Sequence, residues 1–301
     1  MELWIPITIA AAFLQNLRSA AQKKLQGSLG TTGASFVRFG FGFPLAILYV
    51  AVLHYGTGRV LPLLSLEFAG WSVLGGVAQI LATILLVHMF TLRNFAVGTA
   101  YSKTEPMQAA IFGLILLGET VTIGAVGAIV VGIAGVILIS VARMPLSWAN
   151  FWAALIGRTA QIGILSGALF GISAVAYRSA SLSLGGPDLI MQAAVTLAVV
   201  STFQTIIMVV WMAATDMGEF GRVARAWRSS TLVGLAGILG SACWFTAMAM
   251  QQVAYVRALG QIELVFTFAA SIFIFKERIN RQEVIGCLLI VGGILILLLL
   301  R

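Results

Sequence analysis

A chain of 301 residues that is 60% hydrophobic and only 9% charged cannot bury its apolar surface in a soluble domain, because soluble domains are about one-quarter charged. It is read as an integral membrane protein. The net charge of +8 would suggest nucleic acid in a soluble protein, but here the basic residues fall mainly between apolar runs, which makes lipid headgroups their neighbours.

A helix needs about 20 residues to cross the hydrocarbon core. On that criterion the chain reads as all-α with ten transmembrane helices, at 3–23, 31–53, 67–90, 95–117, 121–142, 159–182, 188–213, 231–250, 254–275 and 281–300. The runs are continuously apolar, without the two-residue alternation of a membrane barrel. Lys23 and Lys24 follow the first run instead of preceding it, so that run is not expected to be a cleaved leader. The longest polar connections, 143–158 and 214–230, are too short for a soluble domain.

No phosphate-binding GxxxxGK[ST], HExxH or GxSxG motif occurs, so neither ATP hydrolysis nor a membrane enzyme is expected. Cys243 and Cys287 lie inside apolar runs and form neither a disulfide framework nor a metal-ligand set. No metal and no cofactor are expected.

A shift of 158 residues superposes two halves of the chain. It places Glu105 on Glu263, Glu119 on Glu277, Gly135 on Gly293 and Ala96 on Ala254. The acids fall inside one span and at its end in both halves. Five spans per half force opposite orientations, which gives two inverted repeats. The halves are 1–142 and 159–301, joined by 143–158.

Polar residues recur at helical spacing on six spans. The first carries Gln15, Ser19 and Gln22, and the sixth Ser173 and Tyr177 at the shifted positions. The third carries Gln79 and Thr83, the eighth Ser241 and Trp244, and the fourth Tyr101, Glu105, Gln108 and Phe112. Polar groups in hydrocarbon face protein or water, so spans 1, 3, 4, 6, 8 and 9 are expected to surround a common interior. The fifth and tenth instead carry small residues, Gly124, Ala128 and Gly132 against Gly286 and Gly293, as close helix packing requires.

The stretch YSKTEP, Tyr101 to Pro106, concentrates the chemistry. Glu105 could bind a substrate ammonium group, carry a proton, or serve a structural ion pair. Pro106 frees the carbonyl of Ser102. Lys103 and Arg257, near helix ends, are expected to reach toward the interface. Arg38 either pairs with another helix or reaches the interface. Gln15, Ser19, Gln79, Tyr101, Glu105, Ser173, Tyr177, Trp244 and Glu263 form the expected substrate lining.

With Gly118-Glu119 and Lys276-Glu277 each preceding a Gly-rich fifth helix, the chain resembles the drug/metabolite transporter superfamily in its ten-helix EamA-type form. Within it the sequence is similar to the bacterial aromatic amino acid exporter subgroup. The resemblance implies a midplane cavity lined by helices 1, 3, 4, 6, 8 and 9 and alternating access between the halves. It implies an inner-membrane exporter of aromatic and other neutral amino acids or related small metabolites. Membrane lipid is the expected surrounding and a monomer the expected unit. A multidrug or organic-cation exporter on the same fold is the alternative. The four-helix relatives couple to protons through a glutamate in their first helix; this chain has none there beyond Glu2. Positive charge concentrates in the loops after odd-numbered spans, which puts both termini outside the cytoplasm, whereas the resemblance implies both inside.

Overall fold

Every regular element among the described residues is helical. The computed structural model describes residues 2–92, 102, 105–141, 157–273, 276 and 280–299. Helix α1, Trp4–Leu25, is followed by α2, Thr31–Gly40, and α3, Phe43–Ala51, which runs into one π-helical turn, Val52–Gly56. The second expected span is thus broken, and the break has a chemical cause. Pro44 opens α3 and has no backbone N–H to continue the helix from α2.

After α4, Leu66–Leu92, come α5, Glu105–Leu117, and α6, Ile123–Val141. The second half begins with α7, Arg158–Ser183, α8, Leu189–Thr215, and the short α9, Gly218–Arg225. Helix α10, Trp227–Met250, precedes α11, Val253–Leu259, a 3-10 turn at Gly260–Ile262, and α12, Glu263–Phe273. Helix α13, Arg281–Leu299, closes the chain. Six stretches among the described residues are long and apolar enough to cross a membrane: Thr31–Gly56, Leu66–Thr91, Gln161–Ser183, Leu189–Thr215, Trp227–Met250 and Val253–Ala270. Glu105–Leu117 and Ile123–Ile139 are shorter apolar helices.

The helix pairings repeat under the 158-residue shift. Helix α1 packs along α10, and α7 along α4, so the partners exchange halves. Helix α5 lies against α7 as α12 lies against α1, and α8 meets α4 as α2 meets α10. The 3-10 turn at Gly260 has its counterpart at Ser102, which is also in a 3-10 turn. Glu263 and Glu105 each open the helix that follows.

Helices α6 and α13 pack on one another at glycines. A Cβ on Gly135 would lie 2.5 Å from the Gly286 carbonyl oxygen, and one on Gly286 would lie 2.7 Å from that of Gly135. One on Gly293 would meet the Ala128 carbonyl at 2.7 Å. The small residues of the expected fifth and tenth spans therefore bring two helices of the same chain together.

Two polar clamps hold helix ends. Helix α2 has no capping side chain of its own. Its free N–H groups are met by Glu219 of α9, which accepts from Gly30 at 2.8 Å and Gly33 at 3.1 Å. A carboxylate there also suits the positive end of the helix dipole. At α8, Asp188 accepts from the Met191 N–H and pairs with Arg59 at 2.5 Å.

Candidate functional site

Helix α1 carries a run of polar residues into the interior. Asn16, Arg18, Ser19 and Gln22 are all buried. Gln15 uses both ends of its amide: its Nε2 donates to Glu263 Oε2 at 2.6 Å, and its Oε1 accepts from Trp244 Nε1 at 2.9 Å. The next residue, Asn16, donates to Thr267 Oγ1, one turn beyond Glu263 on α12, at 2.6 Å. The first helix of one half is thus bonded to α10 and α12 of the other.

Trp244 continues the chain of contacts. Its ring lies beside Gly260 of the 3-10 turn, where a Cβ would come within 2.5 Å of it; only glycine leaves that space. The Arg257 guanidinium sits over the same ring, 4.5 Å from the centroid, within cation–π range. Arg257 in turn forms an ion pair with Glu105 at 3.0 Å, the two side chains being 6% and 5% exposed. A continuous path therefore runs Glu263, Gln15, Trp244, Arg257, Glu105. It begins on one repeat-related acid and ends on the other. The expectation that Arg257 reaches the interface is corrected, because burial makes the nearest carboxylate its partner.

Other residues of the expected lining sit elsewhere. Gln79 and Tyr177 join Gln204 in a buried knot between α4, α7 and α8. The Tyr177 hydroxyl donates to the Gly75 carbonyl at 2.9 Å and lies 3.1 Å from Gln79 Oε1. Gln204 Nε2 is 3.0 Å from Gln79 Oε1, 3.1 Å from the Gly76 carbonyl and 3.2 Å from the Tyr177 hydroxyl. The Tyr177 ring stacks on Phe245 at 4.4 Å. Ser173 donates to the Phe170 carbonyl of its own helix. Ser19 accepts from Arg18 Nη2 at 3.2 Å. Tyr101, Lys103 and Glu277 lie outside the described residues.

Glu119 ties a helix end. It pairs with Arg178 at 2.6 Å, and Arg178 also donates to the Met248 and Gln251 carbonyls at the end of α10. Arg38 is buried, donates to Thr83 Oγ1 at 2.9 Å and lies 5.2 Å from the Phe39 ring centroid. It therefore bonds another helix.

Arg18, Asn16 and Gln204 are interior groups absent from the expected set. A signal for Arg18 was available: Gln15, Arg18 and Gln22 stand at i, i+3 and i+7, one face of a helix. Among the described residues no group of three or more His, Cys, Asp or Glu could hold a metal ion.

The family pattern of EamA-like transporters matches residues 2–141 and again residues 157–299. No curated protein matches the chain significantly. A solved crystal structure, described only as that of a protein, superposes with a TM-score of 0.71 at 16% identity. The match covers 98% of this chain and 96% of the other. At that identity the likeness is one of fold.

Proposed function

This chain belongs to the EamA-like transporter family in both of its halves, and from that premise we propose that it is a secondary exporter of amino acids, aromatic and other neutral ones, or of closely related small metabolites. It works by alternating access in a bacterial inner membrane, as a monomer, through ten transmembrane helices arranged as inverted repeats at 1–142 and 159–301. The exchanged helix pairings under the 158-residue shift support that architecture.

The observation that carries the reading is the path from Glu263 through Gln15, Trp244 and Arg257 to Glu105. It joins the two halves inside the bundle, where a rocking motion must break and remake contacts. Each link is polar or cation–π, so a solute with an ammonium group, a carboxylate and an apolar body can substitute for the links in turn. Gln15, Ser19, Tyr101, Glu105, Trp244 and Glu263 make the proposed contact set. Gln79, Ser173 and Tyr177, at the crossing of α4 and α7, make a second proposed group of the lining.

The organic-cation alternative needs an aromatic face open to a cation. Arg257 already covers the Trp244 ring, which favours the amino-acid reading. The test is uptake of labelled phenylalanine and threonine into sealed liposomes holding the purified protein, with and without a pH gradient. Saturable uptake inhibited by unlabelled amino acid is the expected result. No uptake of either by folded protein, with competition by a quaternary ammonium compound against another solute, would overturn it.

A further inference from the structure

Among the described residues, three buried arginines stand near only two buried acids in the middle of the bundle. Arg18, Arg38 and Arg257 are 2%, 6% and 6% exposed, and the buried acids near them are Glu105 and Glu263, at 4% and 2%. Of the chain's ten acidic residues, Glu277 lies outside the described residues, Glu2 accepts from the Trp4 indole at the start of α1, and the rest besides Glu105 and Glu263 are engaged elsewhere. Glu119 pairs with Arg178, Asp188 with Arg59, and Asp216 and Glu219 with Arg222. Glu283 accepts from the Asn280 N–H, and Glu67 from the Trp71 indole at the surface. Glu105 belongs to Arg257. That leaves Glu263, already bonded by Gln15, within electrostatic reach of both Arg18 and Arg38.

Neither Arg18 nor Arg38 has a carboxylate oxygen within 4.0 Å among the described residues. Arg18 donates to one neutral hydroxyl, that of Ser19, and its Nε is buried without a hydrogen-bond partner. Arg38 donates to one neutral hydroxyl, that of Thr83. A guanidinium has five N–H donors in a planar fork, so most of the capacity of both is unspent. The two side chains converge on one point of α10. A Cβ on Gly237 would lie 3.4 Å from Arg38 Cγ and 3.5 Å from Arg18 Cδ, so both stems lie against the helix at that point. Beside Arg38 a cleft is bordered by Gln79, Ser201, Gln204 and Ser241, all neutral and all able to donate.

We propose that Arg18 and Arg38, either side of Gly237, form a carboxylate-binding subsite for the transported solute. Its role in transport rests on the transporter reading above; binding itself does not. Buried charge is costly when unpaired, and a planar carboxylate matches the guanidinium fork with two parallel hydrogen bonds. The cleft measures about 10 Å³, the room of one water, so the solute reaches the pair when the helices part. The carboxylate can come from a zwitterionic amino acid or from an acid with no amino group.

The experiment compares phenylalanine, 3-phenylpropionate and phenethylamine as ligands of the purified protein in nanodiscs, by intrinsic tryptophan fluorescence and thermal unfolding. Benzoate is a fourth probe without the amino-acid frame. Wild type is expected to bind the carboxylates and not phenethylamine. Arg18→Gln and Arg38→Gln should each weaken carboxylate binding by about tenfold or more, the effect of losing one charged hydrogen bond, while Arg18→Lys retains part of it. Arg18→Gln loses one hydrogen bond to a neutral hydroxyl and no close ion pair, so the ligand-free variant should lose less stability than Glu105→Gln, which breaks an ion pair 3.0 Å long; an equal loss would mark Arg18 as structural. Binding of phenylalanine that is unchanged in both Gln variants, or phenethylamine binding as well as phenylalanine, would overturn the subsite and leave the transporter reading intact. Arginine-dependent binding of benzoate or 3-phenylpropionate without phenylalanine binding would uphold the subsite and retire the amino-acid reading. Absence of binding by all four probes would overturn the subsite.

Discussion

Replacing Glu105 by Gln removes the charge of one member of an ion pair 3.0 Å long, whose side chains are 5% and 6% exposed. The guanidinium of Arg257 then stays buried with the Trp244 ring as its remaining charge-stabilising contact on that side. A desolvated cation–π contact supplies about 2 kcal/mol. Removing one partner of a buried pair costs about 3–5 kcal/mol, because the other charge is left without compensation. The Trp244 contact is present before and after the change, so it offsets none of this. Glu105→Gln is therefore expected to destabilise by about 3 kcal/mol or more. The double variant Glu105→Gln, Arg257→Gln is expected within about 1 kcal/mol of wild type, since neither charge then remains. The assay is loss of helical circular dichroism as a denaturing detergent is titrated into the protein in mixed micelles, with uptake measured in parallel. A single variant within about 0.5 kcal/mol of wild type, the range of an ordinary surface change, would refute the reasoning. So would a double variant as unstable as the single one.

The remaining predictions use the same unfolding assay. Gly135→Ala puts a methyl 2.5 Å from the Gly286 carbonyl, whereas at Gly127 a Cβ meets nothing within 4 Å. The first should lose about 1–3 kcal/mol and the second should be neutral or gain up to about 1 kcal/mol from helix propensity; equal effects would sink the claim that α6 and α13 need glycine at that contact. Tyr177→Phe removes the hydroxyl donor to the Gly75 carbonyl, while Gln204 keeps the Gly76 carbonyl and Gln79 Oε1 as acceptors, and should cost about 1 kcal/mol. The hydrogen bond from Arg222 holds the Asp216 carboxyl below its ordinary value of 3.8. A depressed folded-state pKa gives stability that is present above the unfolded value and lost as pH falls through the folded one. Arg222→Gln should therefore flatten the acid side of a stability–pH profile below about pH 4, and an unchanged profile would remove this link. Glu219→Gln keeps an acceptor but loses its charge at the start of α2, and should cost about 1 kcal/mol.

The amino-acid sequence by itself determined the membrane setting, the doubling and the places of the two interior acids. These are legible because hydrocarbon length, composition and helical period act locally and sum along the chain. The polar stripe of the first span was also legible, and Gln15 does reach Glu263 and Trp244. The period states which face of a helix is polar, but not which neighbour that face will meet. Gln15 and Glu263 are 248 residues apart, and no local pattern joins Arg257 to Glu105. The position of Arg257 near a helix end suggested a side chain reaching for headgroups, yet packing buried it and only an acid from another helix could compensate its charge. The same holds for Gln79 and Tyr177, which find Gln204 on α8, and for the break at Gly260, which makes room for Trp244. A buried charge or amide takes its partner from whatever helix the tertiary structure delivers, and that delivery is a property of the whole bundle.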